Sequence, residues 1–191
     1  MAESFRRPRH SLEEYVILEE MSNVRHEYLG GHIFAMAGGT PEHGGLCANV
    51  IALLSNALAG RPCRAFTSDV RVRVRATGLD TYPDASVVRG RAERDDQDRN
   101  ALINPVVLVE VTSPSTEAYD RGEKLDHYKR IPSLQEVLIV AHAEIRVDVW
   151  RRRSGEEWTV VSAGPEGGAP LQSLTCELAV AEIYRNPLPP D

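Results

Sequence analysis

The sequence has few cysteines, few aromatic residues and no long apolar run. Its three cysteines are far apart and lack Cys-x-x-Cys spacing, which argues against a disulfide framework and a structural zinc site. The longest apolar stretches, 50–54 and 137–141, are too short to cross a bilayer, and the N-terminal residues lack the apolar segment of a signal peptide. We therefore expect a soluble, unprocessed cytoplasmic protein with no membrane partner.

Positive charge is also scarce, because 22 Lys and Arg residues face 28 Asp and Glu residues, for a net charge of −6. Such a molecule is not a non-specific polyanion binder, so any contact with nucleic acid must come from local patches or a bound metal. The length of 191 residues, with 42% hydrophobic and 26% charged residues, predicts one globular domain. We expect residues 1–10 and 186–191 to be frayed.

Hydrophobic periodicity and turn residues predict the order of helices and strands. Ser11 begins a helix, the Gly30-Gly31 pair turns a hairpin, and Thr40 begins a long helix that ends near Gly60. The remaining predicted elements are a half-exposed strand over 63–75, a strand over 82–88, a solvated loop over 89–104, a buried strand over 106–111, a helix over 115–131, a meander of strands over 135–141, 146–152 and 158–162, and one strand with a short helical turn within 169–184.

Two strands that otherwise look like core each carry an acid. Glu110 interrupts a run of β-branched and leucine residues, where an unpaired charge would cost several kcal/mol, so it needs a cation, a proton or good hydrogen-bond donors. Asp84 opens the strand that follows Pro83, and the two acids would meet at one edge of a cleft if their strands are antiparallel neighbours. Carboxylate ligands favour magnesium or manganese over zinc, so Asp84 and Glu110 are the candidate metal ligands.

The helix after Glu110 carries a third candidate. Asp120, Lys124 and Tyr128 are four residues apart, so they project from one helix face that could look back at the metal. A lysine beside two carboxylates and a metal could orient or deprotonate an attacking water and offset charge on a phosphate oxygen. The candidate catalytic residues, Asp84, Glu110 and Lys124, therefore point to hydrolysis of a phosphodiester.

Two other residues are candidates for supporting roles. Glu27, in the hairpin, would complete the metal shell or else pair with Arg25 on its own strand. His43, near the start of the long helix, would bind substrate phosphate or a metal-bound water, or else is an ordinary surface or core histidine. The charged row over 69–75 is either a solvent face or a stripe that follows phosphates.

The three catalytic candidates also have structural interpretations. Asp84 would then be a turn acid, and Glu110 would form a buried ion pair with an arginine such as Arg71 or Arg73. Lys124 would lie on a solvated helix face and pair with Asp120. These alternatives stay open from the sequence alone.

As a set, these residues resemble the Uma-type endonuclease family, a branch of the PD-(D/E)XK restriction-endonuclease-like superfamily. The likeness covers roughly residues 12–149. It rests on Pro83-Asp84, Glu110, Ser113-Pro114-Ser115-Thr116, Asp120, Lys124 and Tyr128, together with Arg25, Glu27, Gly31 and His43 upstream.

The resemblance implies an α/β fold in which helices flank a mixed, antiparallel-leaning central sheet, with an N-terminal helix and hairpin. It also implies a magnesium-dependent endonuclease, a hydrolase that acts on DNA, and a homodimer. The lysine that normally lies two residues after the glutamate is here Thr112, and Lys124 resembles a lysine that has moved to the following helix. The alternative is a catalytically inactive nuclease-fold module that binds nucleic acid or protein as a dimer.

Overall fold

The computed structural model describes residues 8–154 and 157–185. Its helices are α1 (Leu12–Met21), α2 (Pro41–Ala57), α3 (Glu117–Arg121), α4 (Glu123–Tyr128) and α5 (Val180–Ile183), with a 3₁₀ turn at Gln172–Leu174. Its strands are β1 (His26–Leu29), β2 (His32–Ala35), β3 (Cys63–Thr67), β4 (Arg71–Val74), β5 (Leu79–Thr81), β6 (Ala85–Arg89), β7 (Ala101–Leu102), β8 (Val107–Val111), β9 (Glu136–Val140), β10 (Val147–Arg152), β11 (Trp158–Ala163), β12 (Gly168–Leu171) and β13 (Cys176–Ala179). Within the described ranges, no helix has the length and apolar character needed to cross a membrane.

The predicted helix starts and the hairpin turn are confirmed. Ser11 caps α1 through a reciprocal capping box with Glu14, and the Thr40 hydroxyl accepts a hydrogen bond from the backbone at the first turn of α2. Gly30 and Gly31 take φ angles of 58° and 88°, which glycine adopts without strain. Of the ends expected to be frayed, 1–10 and 186–191, only 8–10 lie within the described ranges, and there His10 N–H donates a 2.8 Å hydrogen bond to the Gly31 carbonyl oxygen.

A six-stranded sheet with the order β11-β10-β9-β8-β6-β3 forms the centre of the molecule. Strand β8 pairs parallel to β9 and antiparallel to β6, with Ala85 opposite Val109. The expected antiparallel neighbours and the β9-β10-β11 meander are therefore confirmed. Because β6 runs antiparallel to β8, Asp84, just before β6, lies beside the end of β8 that carries Glu110.

Helices cover both faces of this sheet, and β8 contributes to both sides. Val107 and Val109 face the core that contains Leu54 of α2, whereas Leu108 packs in the core that contains Leu125 of α4. This alternation follows from the two-residue period of a strand. It directs Glu110, two residues after Leu108, toward the α4 side.

A second sheet with the order β2-β1-β5-β4-β7 lies beside the first. Strand β1 pairs antiparallel to β5, with Tyr28 opposite Asp80. Tyr15 of α1 stacks on Tyr28 with 5.1 Å between ring centroids and donates a 2.7 Å hydrogen bond to the His26 carbonyl. These contacts hold the hairpin in place and position Glu27.

Two predicted elements are each divided in the structure. The strand predicted over 63–75 is β3 and β4, which belong to different sheets and are separated by a turn in which Val70 N–H donates to Thr67 O. The helix predicted over 115–131 breaks into α3 and α4 at Gly122, where a Cβ atom would lie 2.9 Å from the Ala118 carbonyl oxygen. Alternation and periodicity are local sequence patterns, so they do not reveal where a strand or a helix is interrupted.

The loop over 89–104, predicted to be solvated, is partly buried. Asp95 and Asp98 are almost inaccessible, and β7 within this segment pairs with β4. Both aspartates form ion pairs with arginines of the neighbouring strand region. The prediction was wrong for these two residues because the arginines that offset the cost of burying their charges lie 20 and 27 residues away in the chain.

Candidate functional site

Glu110 lies on the α4 side of β8 and is only 3% exposed. It accepts a hydrogen bond from the Tyr128 hydroxyl, and its Oε1 atom lies 3.0 Å from the Lys124 ammonium. The expected proximity of Lys124 to Glu110 is therefore confirmed. Tyr128 lies one helical turn after Lys124, so both side chains reach the same carboxylate.

Lys124 is 4% exposed and lies among three carboxylates. Its Nζ atom is 3.0 Å from Glu110, 3.3 Å from Glu27 and 3.7 Å from Asp120. Thr81 of β5 donates a hydrogen bond to Glu27 and holds that carboxylate in place. We call Glu27, Glu110, Asp120 and Lys124 the lysine cluster.

Burial and charge excess perturb the acids of the lysine cluster. Burial raises the pKa of Glu110 to about 8; the charges of Asp84 and Asp120 add to that rise, while Lys124 opposes it. Burial also raises the pKa of Asp120. Although burial opposes charging of the ammonium, the surrounding acids, Glu110 first, hold the pKa of Lys124 well above its usual value. When all three acids are ionised, the cluster carries more negative charge than one lysine neutralises.

Asp84 contacts the end of β8 through the backbone. Its Oδ2 atom accepts a 2.7 Å hydrogen bond from Val111 N–H and lies 3.4 Å from His43 Nε2. His43 Nε2 is also 3.0 Å from the Val111 carbonyl oxygen. The hydrogen bond to Asp84 raises the pKa of His43, and burial raises the pKa of the neighbouring Cys47 thiol.

The structure brings five of the seven predicted site residues into direct contact and places two beside them. The five in contact are Glu27, Glu110, Asp120, Lys124 and Tyr128. Asp84 and His43 adjoin this group through Val111, the residue after Glu110. The catalytic and metal-binding roles of all seven stay predictions.

The structure contradicts the solvated position of Lys124 and the arginine partners considered for Glu27 and Glu110. Lys124 is buried, although it does lie 3.7 Å from Asp120 as that interpretation expected. Glu27 pairs with Lys124, while Arg25 pairs with Asp69. Glu110 has no arginine partner among the described residues. Asp84 does have a structural role, because its carboxylate receives the Val111 N–H.

The charged row over 69–75 is neither a solvent face nor a phosphate stripe along its whole length. Arg71 and Arg73 are turned inward, and they pair with Asp98 and Asp80 respectively. Arg71 also contacts the Tyr82 hydroxyl at 3.0 Å. We use the term arginine cluster for Arg71, Arg73, Arg75, Asp80, Asp95 and Asp98.

Thr112, at the position where the superfamily usually has its lysine, is fully buried. Its hydroxyl lies 2.9 Å from His142 Nδ1 and accepts a 3.2 Å hydrogen bond from the His142 backbone. Thr112 thus joins the ends of β8 and β9, and Lys124 is the ammonium that reaches Glu110.

The sequence interpretation missed two residues of the site. Thr81 holds Glu27, and no local pattern relates residues 54 positions apart. Cys47 lies four residues after His43, so helix spacing alone would have placed the thiol beside the imidazole. Among residues 8–154 and 157–185, His43, Cys47 and Asp84 form the one group of three potential metal ligands whose donor atoms all lie within 4.8 Å of one another.

The molecule has a mixed α/β fold in which Glu110 of the central sheet and Glu27 of the second sheet face the helix lysine Lys124. The chain is similar to the crystal structure of "a putative nuclease belonging to DUF820" from Anabaena variabilis ATCC 29413. The TM-score is 0.69 at 21% sequence identity, and the match covers 85% of this chain and 91% of that one. The predicted fold class is confirmed.

Within that class, the chain belongs to the Uma2 family, described as "Putative restriction endonuclease", whose family model matches residues 12–182. It is 35% identical over 178 residues to the uncharacterised protein slr1290 of Synechocystis sp., a match that covers 93% of each chain. It is 30% identical over 145 residues to the uncharacterised protein sll1609 of the same organism, covering 76% of this chain and 82% of the relative. The family resemblance inferred from the motif residues is therefore confirmed.

Proposed function

We propose that this protein is a divalent-metal-dependent endonuclease that hydrolyses phosphodiester bonds in DNA. The observation that carries the proposal is the lysine cluster, in which three carboxylates surround one buried ammonium near the C-terminal end of β8. The family description and the nuclease-like neighbour point in the same direction. The net charge of −6 means that DNA must be held by local contacts rather than by the whole surface.

The residues present suit a hard divalent cation. Asp84 and Glu110 would hold magnesium or manganese, because carboxylate oxygens are the donors that these ions prefer. The raised pKa of Glu110, about 8, reflects burial and negative charge that a cation would offset. When bound, such an ion supplies a Lewis acid that stabilises negative charge on a phosphate oxygen and acidifies a water.

Lys124 would act as an ammonium. Its pKa lies well above the ordinary value because of Glu110, Tyr128, Glu27 and Asp120, which outweigh the effect of burial, so it donates hydrogen bonds rather than removing a proton from water. From its position 3.0 Å from Glu110, it would stabilise the charge that develops on a phosphate oxygen. Glu27 and Asp120 would fix its orientation, and Tyr128 would fix that of Glu110.

The inactive binding module remains the second candidate because Thr112 replaces the usual lysine. Thr112 forms hydrogen bonds with His142, and its side chain carries no ammonium group that could replace the usual lysine. The burial of Lys124 against Glu110 removes the main reason to expect an incomplete site. We therefore favour the active nuclease.

Incubation of the full chain with supercoiled, linear and single-stranded DNA tests the proposal. We expect cleavage with magnesium or manganese, none with a chelator, and loss of cleavage in Glu110→Gln. Glu123→Gln is the matched control, because Glu123 is an exposed glutamate at the start of α4. Chelator-sensitive cutting that survives in Glu110→Gln would contradict the site, and intact DNA under all metal conditions would favour the binding module.

The homodimer implied by the family resemblance is also a proposal. Sedimentation of the full chain tests it: a single species of twice 21.1 kDa supports the dimer, and a species of 21.1 kDa contradicts it.

A further inference from the structure

A second group of metal-ligating side chains adjoins the lysine cluster on the opposite side of β8. His43 and Cys47 are one turn apart on α2, and both project toward the end of β8, where Asp84 lies. His43 Nε2 is 3.4 Å from Asp84 Oδ2 and 4.0 Å from Cys47 Sγ. This nitrogen donates to the Val111 carbonyl oxygen at 3.0 Å, so metal binding would move the imidazole hydrogen to Nδ1 and replace that hydrogen bond. Three kinds of ligand atom, nitrogen, sulfur and oxygen, therefore meet at one place.

These separations suit a tetrahedral ion. Zinc bonds of about 2.0 Å to nitrogen and oxygen and about 2.3 Å to sulfur place neighbouring ligands about 3.3 Å (N to O) and about 3.5 Å (N to S) apart. The first observed distance, 3.4 Å, agrees within a tenth of an ångström, and the second, 4.0 Å, requires a movement of about half an ångström. All three residues are half-buried, so solvent would supply a fourth ligand.

The local backbone favours this orientation of the imidazole. A Cβ atom at Gly39 would lie 2.8 Å from His43 Nδ1. The glycine therefore avoids a steric clash with the imidazole in the orientation that directs Nε2 toward Asp84. Thiolate and imidazole are ligands for zinc and cobalt, whereas magnesium prefers oxygen alone. The donor set therefore differs in kind from the carboxylates of the lysine cluster.

We propose that His43, Cys47 and Asp84 bind one divalent cation of the zinc class, with release of the Cys47 thiol proton to solvent. Binding at this site does not depend on DNA cleavage. Because Asp84 would be shared with magnesium, zinc would also compete with magnesium and inhibit cleavage, a consequence that rests on the proposed nuclease function.

Cobalt(II), which reports thiolate ligation by a near-ultraviolet charge-transfer band, tests the site in the reduced full chain. We expect one equivalent of cobalt to produce the band, zinc to abolish it, and Cys47→Ser to lack it. Cys63→Ser is the matched control, because Cys63 is another half-buried free cysteine, and it should keep the band. No band in the wild-type protein, a band that survives in Cys47→Ser, or a band lost in Cys63→Ser would overturn the proposal.

Alkylation of the wild-type protein tests the same site without a substitution. Zinc should slow iodoacetamide modification of Cys47 at least tenfold, measured by peptide mass spectrometry, and leave Cys63 unchanged. Equal rates with and without zinc would contradict the site. Neither readout involves DNA, so failure of the nuclease proposal and failure of the zinc proposal are distinguishable.

Discussion

The arginine cluster and the lysine cluster are both buried groups of opposite charges, but their charge balance differs. Three arginines face three buried aspartates in the arginine cluster, and Arg71 also lies 3.5 Å from the buried Glu19 carboxylate. Arg71 binds Asp98 through two nitrogen atoms at 2.8 and 2.9 Å. In the lysine cluster, one ammonium faces three carboxylates, with Asp84 nearby. Near-balanced charges and bidentate geometry characterise a structural network, whereas a larger excess of carboxylate characterises a site that can accept a further cation.

The largest expected effect is on stability and tests the structural role of the arginine cluster. Arg71→Met leaves Asp98 buried without its cation, which should lower the free energy of unfolding by about 3–5 kcal/mol. Urea or thermal unfolding measures this loss. Arg75→Gln is the control, since the Arg75 side chain is 49% exposed and Asp95 keeps Arg73 at 3.6 Å, so its loss should be clearly smaller. Equal losses would contradict a structural role specific to the buried arginine.

The next effect is on catalysis and tests the lysine cluster. Lys124→Met removes the ammonium beside Glu110, so we expect cleavage to fall by about a hundredfold. Because three acids then lack their cation, the metal-free variant should also be less stable, and magnesium should restore part of the loss. Lys129→Met, at the end of α4, is the control. If both variants cleave DNA equally well, Lys124 has no catalytic role.

The third effect is the pH dependence of stability. Glu110 has a pKa of about 8 in the folded protein against an ordinary 4.5, so between these pH values the folded state binds more protons than the unfolded state. The free energy of unfolding of metal-free protein should therefore fall as pH rises from about 4.5 to about 8, by at most about 1.4 kcal/mol per pH unit from this residue. Urea unfolding in chelator should show a flatter profile for Glu110→Gln than for Glu123→Gln. If the two variants show parallel pH profiles, Glu110 is not the group that causes the pH dependence.

Local periodicity was sufficient to predict much of the candidate site. One acid in an apolar strand identified Glu110, and four-residue spacing placed Lys124 and Tyr128 on one side of a helix. That spacing survived the break at Gly122, because the lysine and tyrosine both lie after it in α4.

Long-range partners could not be predicted in this way. Glu27 reaches Lys124 from 97 positions away, because β1 joins β5 in the second sheet. Asp98 is buried because Arg71 comes to it from a strand that periodicity had assigned to a solvent face. In each case tertiary pairing decides whether a charge is buried, and composition and spacing carry no information about that pairing.

Manganese binding, followed by electron paramagnetic resonance, tests most directly whether the carboxylate-rich site accepts a divalent cation. The wild-type chain should bind Mn²⁺, and magnesium should displace it. The double variant Asp84→Asn, Glu110→Gln should lose binding, while Cys47→Ser should keep it, since manganese prefers oxygen ligands. Undiminished binding in the double variant, or no binding by the folded wild-type chain, would contradict a metal site at Asp84 and Glu110.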